Sequence, residues 1–432
     1  MTRQYFPQHL ALAAWLLVTA TAMAEMSPDE RISALAAESA VQDALGEIVL
    51  MEQELHDDLI ELTEIPAPPF QEALRAARFA ELLTEAGLSD VTIDAVGNVV
   101  GRRPGTVGGR TVAYVAHLDT VFPEGTDVTV EVEGNVYTAP GVGDNTRGLV
   151  VVLGVLRALQ RSAIETEADV LFIGNVGEEG LGDLRGVKYL FSDAGPQIDS
   201  MIAVDGGTPG RIVYAGVGSH RYRVTYQGPG GHSWGAFGIA NPHHALGRAI
   251  SIFVETAPAV TSSGEKTTYN VGRIGGGTSI NSVPFESWME VDMRSGSQQK
   301  LDEIDAVFQE AVMLGLDAEN AARLEGPPLT VDVERVGKRP AAMNDSNAGL
   351  VEIASAALRH LGQEPELEIS STDANIPISL GIPAITMSRG GISKDAHSPD
   401  ESWHNVDGHI GIQAGLLTLL ADAGFAGVAG AD

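Results

Sequence analysis

Short apolar runs and helically spaced segments alternate along most of the chain. Residues 112–116, 170–174, 201–204 and 384–387 are apolar at nearly every position, the pattern of strands buried on both faces. Residues 148–160 carry helical periodicity between the first two, and 28–56 and 71–86 do so nearer the N-terminus, the latter stretch stopping at Gly87. Strands alternating with helices predict an α/β class domain, a sheet covered on both faces. The middle of the chain reads differently. Residues 221–226 alternate like a strand, 242–256 are helical, 267–274 and 285–293 are strand-like, 298–314 are helical and 329–336 are strand-like. That order, β-α-β-β-α-β, predicts a ferredoxin-like α+β domain over residues 217–337, inserted into a larger domain built from 25–216 and 338–432. Gly216-Val217-Gly218 precedes the insert and the turn-prone stretch 338–347 follows it, which makes both candidate hinges.

The first 24 residues stand outside this pattern. Arg3 opens them, a mainly apolar run covers residues 10–22, and Ala22-Met23-Ala24 closes them with small residues at the two positions a signal peptidase reads. The run is short for a span of about 20 residues, so a cleaved signal peptide is the expectation and an uncleaved anchor the alternative. No later stretch reaches about 18 apolar residues, so a soluble periplasmic or secreted product without membrane contact is expected after cleavage. The 432 residues include 27 basic and 58 acidic ones, a net charge of −31, which argues against nucleic acid as a partner. There is no Cys, which excludes disulfides, a Cys nucleophile and thiolate zinc sites.

Potential ligands follow the apolar runs. His117 and Asp119 end the first, and alternation turns both to one side, so Asp119 could orient a metal-bound imidazole; a histidine satisfied by a turn Asp is the plainer reading. Asp144 lies in the Gly-rich loop Gly141–Gly148, where it is either an ordinary helix cap or a carboxylate bridging two ions. No Gly-Lys-Ser/Thr follows, so the loop is not a P-loop. Glu178 and Glu179 follow the second run; two adjacent carboxylates are costly to bury without a cation, and a dinuclear site explains both, one as ligand and one as base. Asp205 follows the third run. His397 lies in a polar loop after the fourth, with His404 and His409 as competing ligands nearby. Nitrogen and oxygen donors without sulfur suit catalytic zinc, with cobalt or manganese as alternatives.

This set, in this order, resembles the dinuclear zinc hydrolase family of aminoacylases, carboxypeptidase G, peptidase T and carnosinase-type dipeptidases, over nearly all of the chain after the leader. The resemblance implies a zinc-exopeptidase-like catalytic domain with an inserted lid. It implies two Zn2+ per subunit, His117 and Asp205 on the first, Glu179 and His397 on the second, and Asp144 bridging. Asp119 would then orient His117 and Glu178 would be the general base. In the lid, Gly228-Pro-Gly-Gly231-His232-Ser233 resembles the motif whose His stabilises the oxyanion, often from the other subunit of a homodimer. Asn281 and Arg294 match substrate-binding positions, Arg294 as a bidentate carboxylate ligand. Arg147 stands where relatives often carry Lys, leaving its role open. Asp205 rather than Glu resembles the aminopeptidase and dipeptidase branch. The implied activity is hydrolysis of small peptides, with N-acyl amino acid deacylation or glutamate-type carboxypeptidase activity as the alternative. A periplasmic solute-binding protein is a more distant one, against which the Glu178-Glu179 pair counts.

Overall fold

The computed structural model describes residues 26–343 and 345–429, so the expected signal peptide lies outside the described residues. In chain order the main strands are β1 (Asp90–Ile93), β2 (Val99–Arg103), β3 (Thr111–His117), β4 (Asp169–Asn175), β5 (Ser200–Val204), β6 (Arg211–Gly216), β7 (Gly218–Gln227), β8 (Thr267–Gly276), β9 (Glu286–Ser295), β10 (Thr330–Arg339), β11 (Glu366–Ser370) and β12 (Ala384–Met387). The main helices are α1 (Pro28–Ala37), α2 (Ser39–Leu50), α3 (Glu52–Thr63), α4 (Ala73–Glu85), α5 (Gly148–Arg161), α6 (Arg185–Leu190), α7 (Pro242–Thr256), α8 (Gln298–Ala322), α9 (Ala348–His360), α10 (Asn375–Ser379) and α11 (His409–Ala423). The helical stretch at 28–56 is three helices rather than one, broken at Glu38 and Met51. Among the described residues, no helix is long and apolar enough to cross a membrane.

Eight strands form a mixed sheet in the order β1-β2-β4-β3-β5-β12-β6-β11. Its centre is apolar on both faces because both are covered. Val112, Tyr114, Ala116, Phe172 and Ile202 pack with residues of α1 to α5, α9 and α11. The intervening Ala113, Val115, Leu171, Ile173 and Met201 pack on the opposite side with Leu190 of α6 and Ile378 of α10. Period-two side-chain alternation thus feeds two cores from one run of sequence. The fold is an α/β domain carrying an inserted α+β domain, the expected lid.

In the lid, β7 to β10 form an antiparallel sheet in the order β8-β9-β7-β10, the ferredoxin-like arrangement. Tyr222, Val224, Phe253, Met289, Phe308 and Val312 join this sheet to α7 and α8. Helix α8 runs to Ala322, beyond the residue 314 expected from periodicity. Gly315 does not stop it, because the missing Cβ is what lets α8 approach the Ala245 carbonyl and Ala249 of α7, 2.8 Å from where that Cβ would stand. The two chain crossings between domains pair with each other: Gly216 donates to the Ala342 carbonyl (2.7 Å) and Ala342 to that of Gly216 (2.9 Å). Asn375 Nδ2 pins both crossings, donating to the carbonyls of Val217 (2.9 Å) and Pro340 (3.0 Å).

Candidate active site

Strands β4, β3, β5 and β12 are neighbours and run parallel, so their carboxyl ends open at one edge of the sheet. In α/β sheets that edge is where ligands bind. His117 is the last residue of β3, and Asp205 directly follows β5. Glu178 and Glu179 follow β4 by a short turn, and Arg389 follows β12.

Three overlapping groups form there, each with its ligand atoms within 4.8 Å of one another: His117, Asp144 and Asp205; Asp144, Glu179 and His397; and His117, Glu178 and Glu179. Asp144 belongs to two of them through different oxygens. Its Oδ1 lies 3.3 Å from His117 Nε2, and its Oδ2 lies 3.3 Å from His397 Nε2. His397 Nε2 is also 2.9 Å from Glu179 Oε1. His404 and His409 are in none of these groups. His397 adopts a left-handed conformation (φ 65°), uncommon for a non-glycine residue and found disproportionately at functional sites.

His117 is buried. Its Nδ1 lies 3.0 Å from the Asp119 backbone carbonyl, which makes Nδ1 the donor, so deprotonation leaves the Nε2 lone pair facing the cluster. Nε2 itself is buried and has no hydrogen-bond partner among the described residues. An orphaned imidazole nitrogen beside carboxylates, with no thiolate in the chain, fits a nitrogen- and oxygen-ligated divalent metal. The Asp119 carboxylate does not take the expected part: it stands 3.8 Å from His117 Nδ1 and instead accepts from the backbone N–H groups of Glu178 (3.0 Å) and Glu179 (2.8 Å). Asp119 thereby orients the imidazole with its carbonyl and the Glu178-Glu179 turn with its side chain.

The electrostatics follow from burial and crowding. Burial opposes the charge on Asp144, but Arg389, His117 and His397 outweigh it and hold its carboxyl well below the usual carboxylate range. Burial pushes Glu178 well above that range, and the charge of Glu179 adds to the effect, although Arg339 Nη1 lies 2.9 Å from Glu178 Oε1. His117 is raised well above an ordinary imidazole despite its burial, by Asp144, Asp119 and Asp205. Hydrogen bonds to Asp144 and Glu179 raise His397 to about 10.

The lid residues are apart from this cluster. His232 is exposed, and its Nδ1 accepts from the backbone of Trp234 (3.2 Å). Ser233 donates to the Asn281 carbonyl (2.9 Å), and Gly231-His232 pairs antiparallel with Ser282-Val283, so His232 and Asn281 are brought together beyond the end of β7. Arg294 sits opposite Ser219 at the other, junction end of the sheet and donates to Asp292 (2.7 Å). Arg147 turns away from the cluster; it lies over the Trp403 ring (4.4 Å) and donates to the Gly408 carbonyl (2.9 Å), a packing role.

Four buried charged residues near the site were not assigned from sequence: Arg339, Asp373, Arg389 and Glu401. Asp373 accepts from Asn175 Nδ2 (2.9 Å), and burial raises its carboxyl to about 7. Arg389 carried a readable signal, a charged residue two positions after the fully buried strand β12. Glu401 lay within the His397 motif without a distinguishing mark.

The description "Peptidase family M20/M25/M40" matches residues 113–421, more than half of the chain. The chain belongs to this family. M20 enzymes are metal-dependent hydrolases, metallopeptidases and amidohydrolases that typically hold two zinc ions, and this M20 chain is such a hydrolase with a possible metal site at His117, Asp144 and Glu179. It is 27% identical over 366 residues to the protein YqjE of Bacillus subtilis (strain 168), covering 78% of this chain and 91% of that one. It is 24% identical over 299 residues to carboxypeptidase G2 of Pseudomonas sp. (strain RS-16), covering 67% of this chain and 68% of that one. Its fold is similar to that of aminopeptidase PepT from Bacillus cereus ATCC 10987, with a TM-score of 0.68 at 22% identity, covering 85% of this chain and 98% of that one.

Proposed function

We propose that this M20 hydrolase is an exported exopeptidase of small peptides, with two metal ions sharing Asp144 and Glu178 as the general base. The observation that carries the reading is Asp144, which offers one oxygen to the His117 group and the other to the His397 group. Zinc ions held by His117, Asp144 and Asp205 and by Asp144, Glu179 and His397 would lower the pKa of water and polarise the scissile carbonyl. Glu178 takes a proton from the attacking water and returns it to the leaving nitrogen. Asp119 holds the Glu178 backbone in place for both transfers. Arg294 binds a substrate carboxylate, and Asn281 and His232 complete the site from the partner subunit of a lid-mediated homodimer, His232 donating to the developing oxyanion. The residue 10–22 apolar run and Ala22-Met23-Ala24 support export.

Metal analysis of the purified protein, followed by assays on free-amine di- and tripeptides, N-acetyl amino acids and peptides ending in glutamate, tests this reading. Cleavage of the free-amine peptides supports it. The similarity to carboxypeptidase G2 favours a second reading, and cleavage confined to N-acyl or C-terminal glutamate substrates would select that one. Metal-free protein without hydrolysis of any of them sinks both. N-terminal sequencing of the exported product should begin at Glu25.

A further inference from the structure

We propose that Glu401 and Arg389 are positioning residues that clamp the turn carrying Asp144, so that its two carboxylate oxygens stay aimed at two different metal positions; the proposal rests on the dinuclear reading above. The turn Val142–Arg147 is irregular, with non-helical dihedral angles at Asp144 and Asn145, and its backbone needs outside partners. One buried carboxylate supplies them. Glu401 accepts from the N–H groups of Gly141 (3.0 Å), Gly143 (3.0 Å) and Asp144 (2.6 Å).

Arg389 grips the same turn with the opposite charge. Its Nη1 donates to the Gly143 carbonyl and to Asn145 Oδ1 (3.0 Å), and it lies 3.3 Å from Asp144 Oδ1 and 3.5 Å from Asp205 Oδ1. Glu401 thus takes the donors of the turn and Arg389 takes its acceptors. The two buried charges compensate each other around a neutral stretch of backbone, which a lone buried charge could not do cheaply. Arg389 also neutralises Asp144 and Asp205 before any cation arrives, so the carboxylates can stand together in advance.

The clamp joins two loops. Glu401 lies four residues after His397, and its carbonyl accepts from Ala139 (3.0 Å) while Ser402 pairs with Thr138. The loop that presents His397 is therefore fastened to the loop that presents Asp144. Because Asp144 is common to both metal groups, releasing its turn weakens both positions together, whereas deleting His397 weakens one.

The full chain, stripped of metal and titrated with Co2+ by calorimetry and visible absorption, separates these cases. Wild type should take up two ions, and His397→Ala should lose one. Glu401→Gln, which points an amide at a backbone N–H, should lower affinity for both ions by about 10–100-fold, the usual cost of losing an outer-shell partner. Gly143→Ala is the second variant should Glu401→Gln fail to fold. It keeps both charges, yet its Cβ would stand 2.9 Å from Ser393 Oγ and 3.1 Å from Glu401 Oε1, pushing the turn off the carboxylate. The same loss of both affinities is expected there, with an altered Co2+ spectrum and an unfolding midpoint in chelator that shows the protein folded. Two ions bound at wild-type affinity in a folded variant, or loss of only one as in His397→Ala, overturns the clamp and leaves the dinuclear reading standing. A wild-type protein that binds no Co2+ overturns both.

Discussion

Burial opposes the ionisation of Glu178, with the charge of Glu179 adding to it, yet its backbone is held from one side by Asp119 and its side chain from the other by Arg339. As the proposed base, a carboxyl so fixed would pass a proton without moving itself. Glu178→Gln should retain the metals and lose about 10²- to 10⁴-fold in kcat, the range of general acid–base assistance. Near-normal turnover at full metal content would remove Glu178 from the role of base. His397 offers a second test at this scale. Its folded pKa of about 10 exceeds the unfolded value of about 6.5, so in the metal-free protein its contribution to stability is complete below about pH 6.5 and is lost as pH rises through about 10. Thermal unfolding in chelator should therefore show wild type losing stability more steeply than His397→Ala between those pH values. Parallel curves would show that His397 gains nothing from Asp144 and Glu179 in the folded state.

The elements that place the site are those the sequence announces most plainly. β3, β4, β5 and β12 are buried on both faces, so each carries an apolar run with few polar interruptions, and the candidate ligands stand at their ends. β11 is exposed along most of its length and carries no such run, and the sequence pattern did not mark it. Glu401 escaped assignment for a related reason: its partners are backbone N–H groups of a distant loop, and no local spacing encodes them. Glycines at the domain crossing are a further case. They read as hinges, but Gly218 is there for contact, since a Cβ on it would lie 2.3 Å from the Ala341 backbone nitrogen. Gly218→Ala should destabilise by about 1–3 kcal/mol through overpacking. Gly46→Ala, on the exposed face of helix α2 with no described atom within 4 Å of the added carbon, should instead stabilise by about 0.5–1 kcal/mol. Urea unfolding of the two variants compares them directly, and a Gly218→Ala protein as stable as wild type would mean that the crossing yields freely.

At the scale of the whole molecule, the lid separates residues that the proposed chemistry needs together. Strand β7 spans ten residues from the domain junction to Gln227, about 33 Å of extended chain, and His232 lies beyond its far end. That end also exposes Trp234, Phe237 and Ile280, large apolar groups that a lid-mediated pairing would cover. A two-fold pairing through the lids would carry each His232 toward the other subunit's metals. The consequence is a complementation that neither subunit could achieve alone. Glu178→Gln supplies an intact His232, and His232→Ala supplies an intact Glu178, so a mixed dimer contains one complete site. When the two inactive proteins are dissociated and reassorted at equal amounts, half of the dimers are mixed, and activity should recover to about a quarter of the wild-type value. No recovery, with mixed dimers demonstrated by mass, would place His232 in the service of its own chain and require the lid to fold across its full length to deliver it.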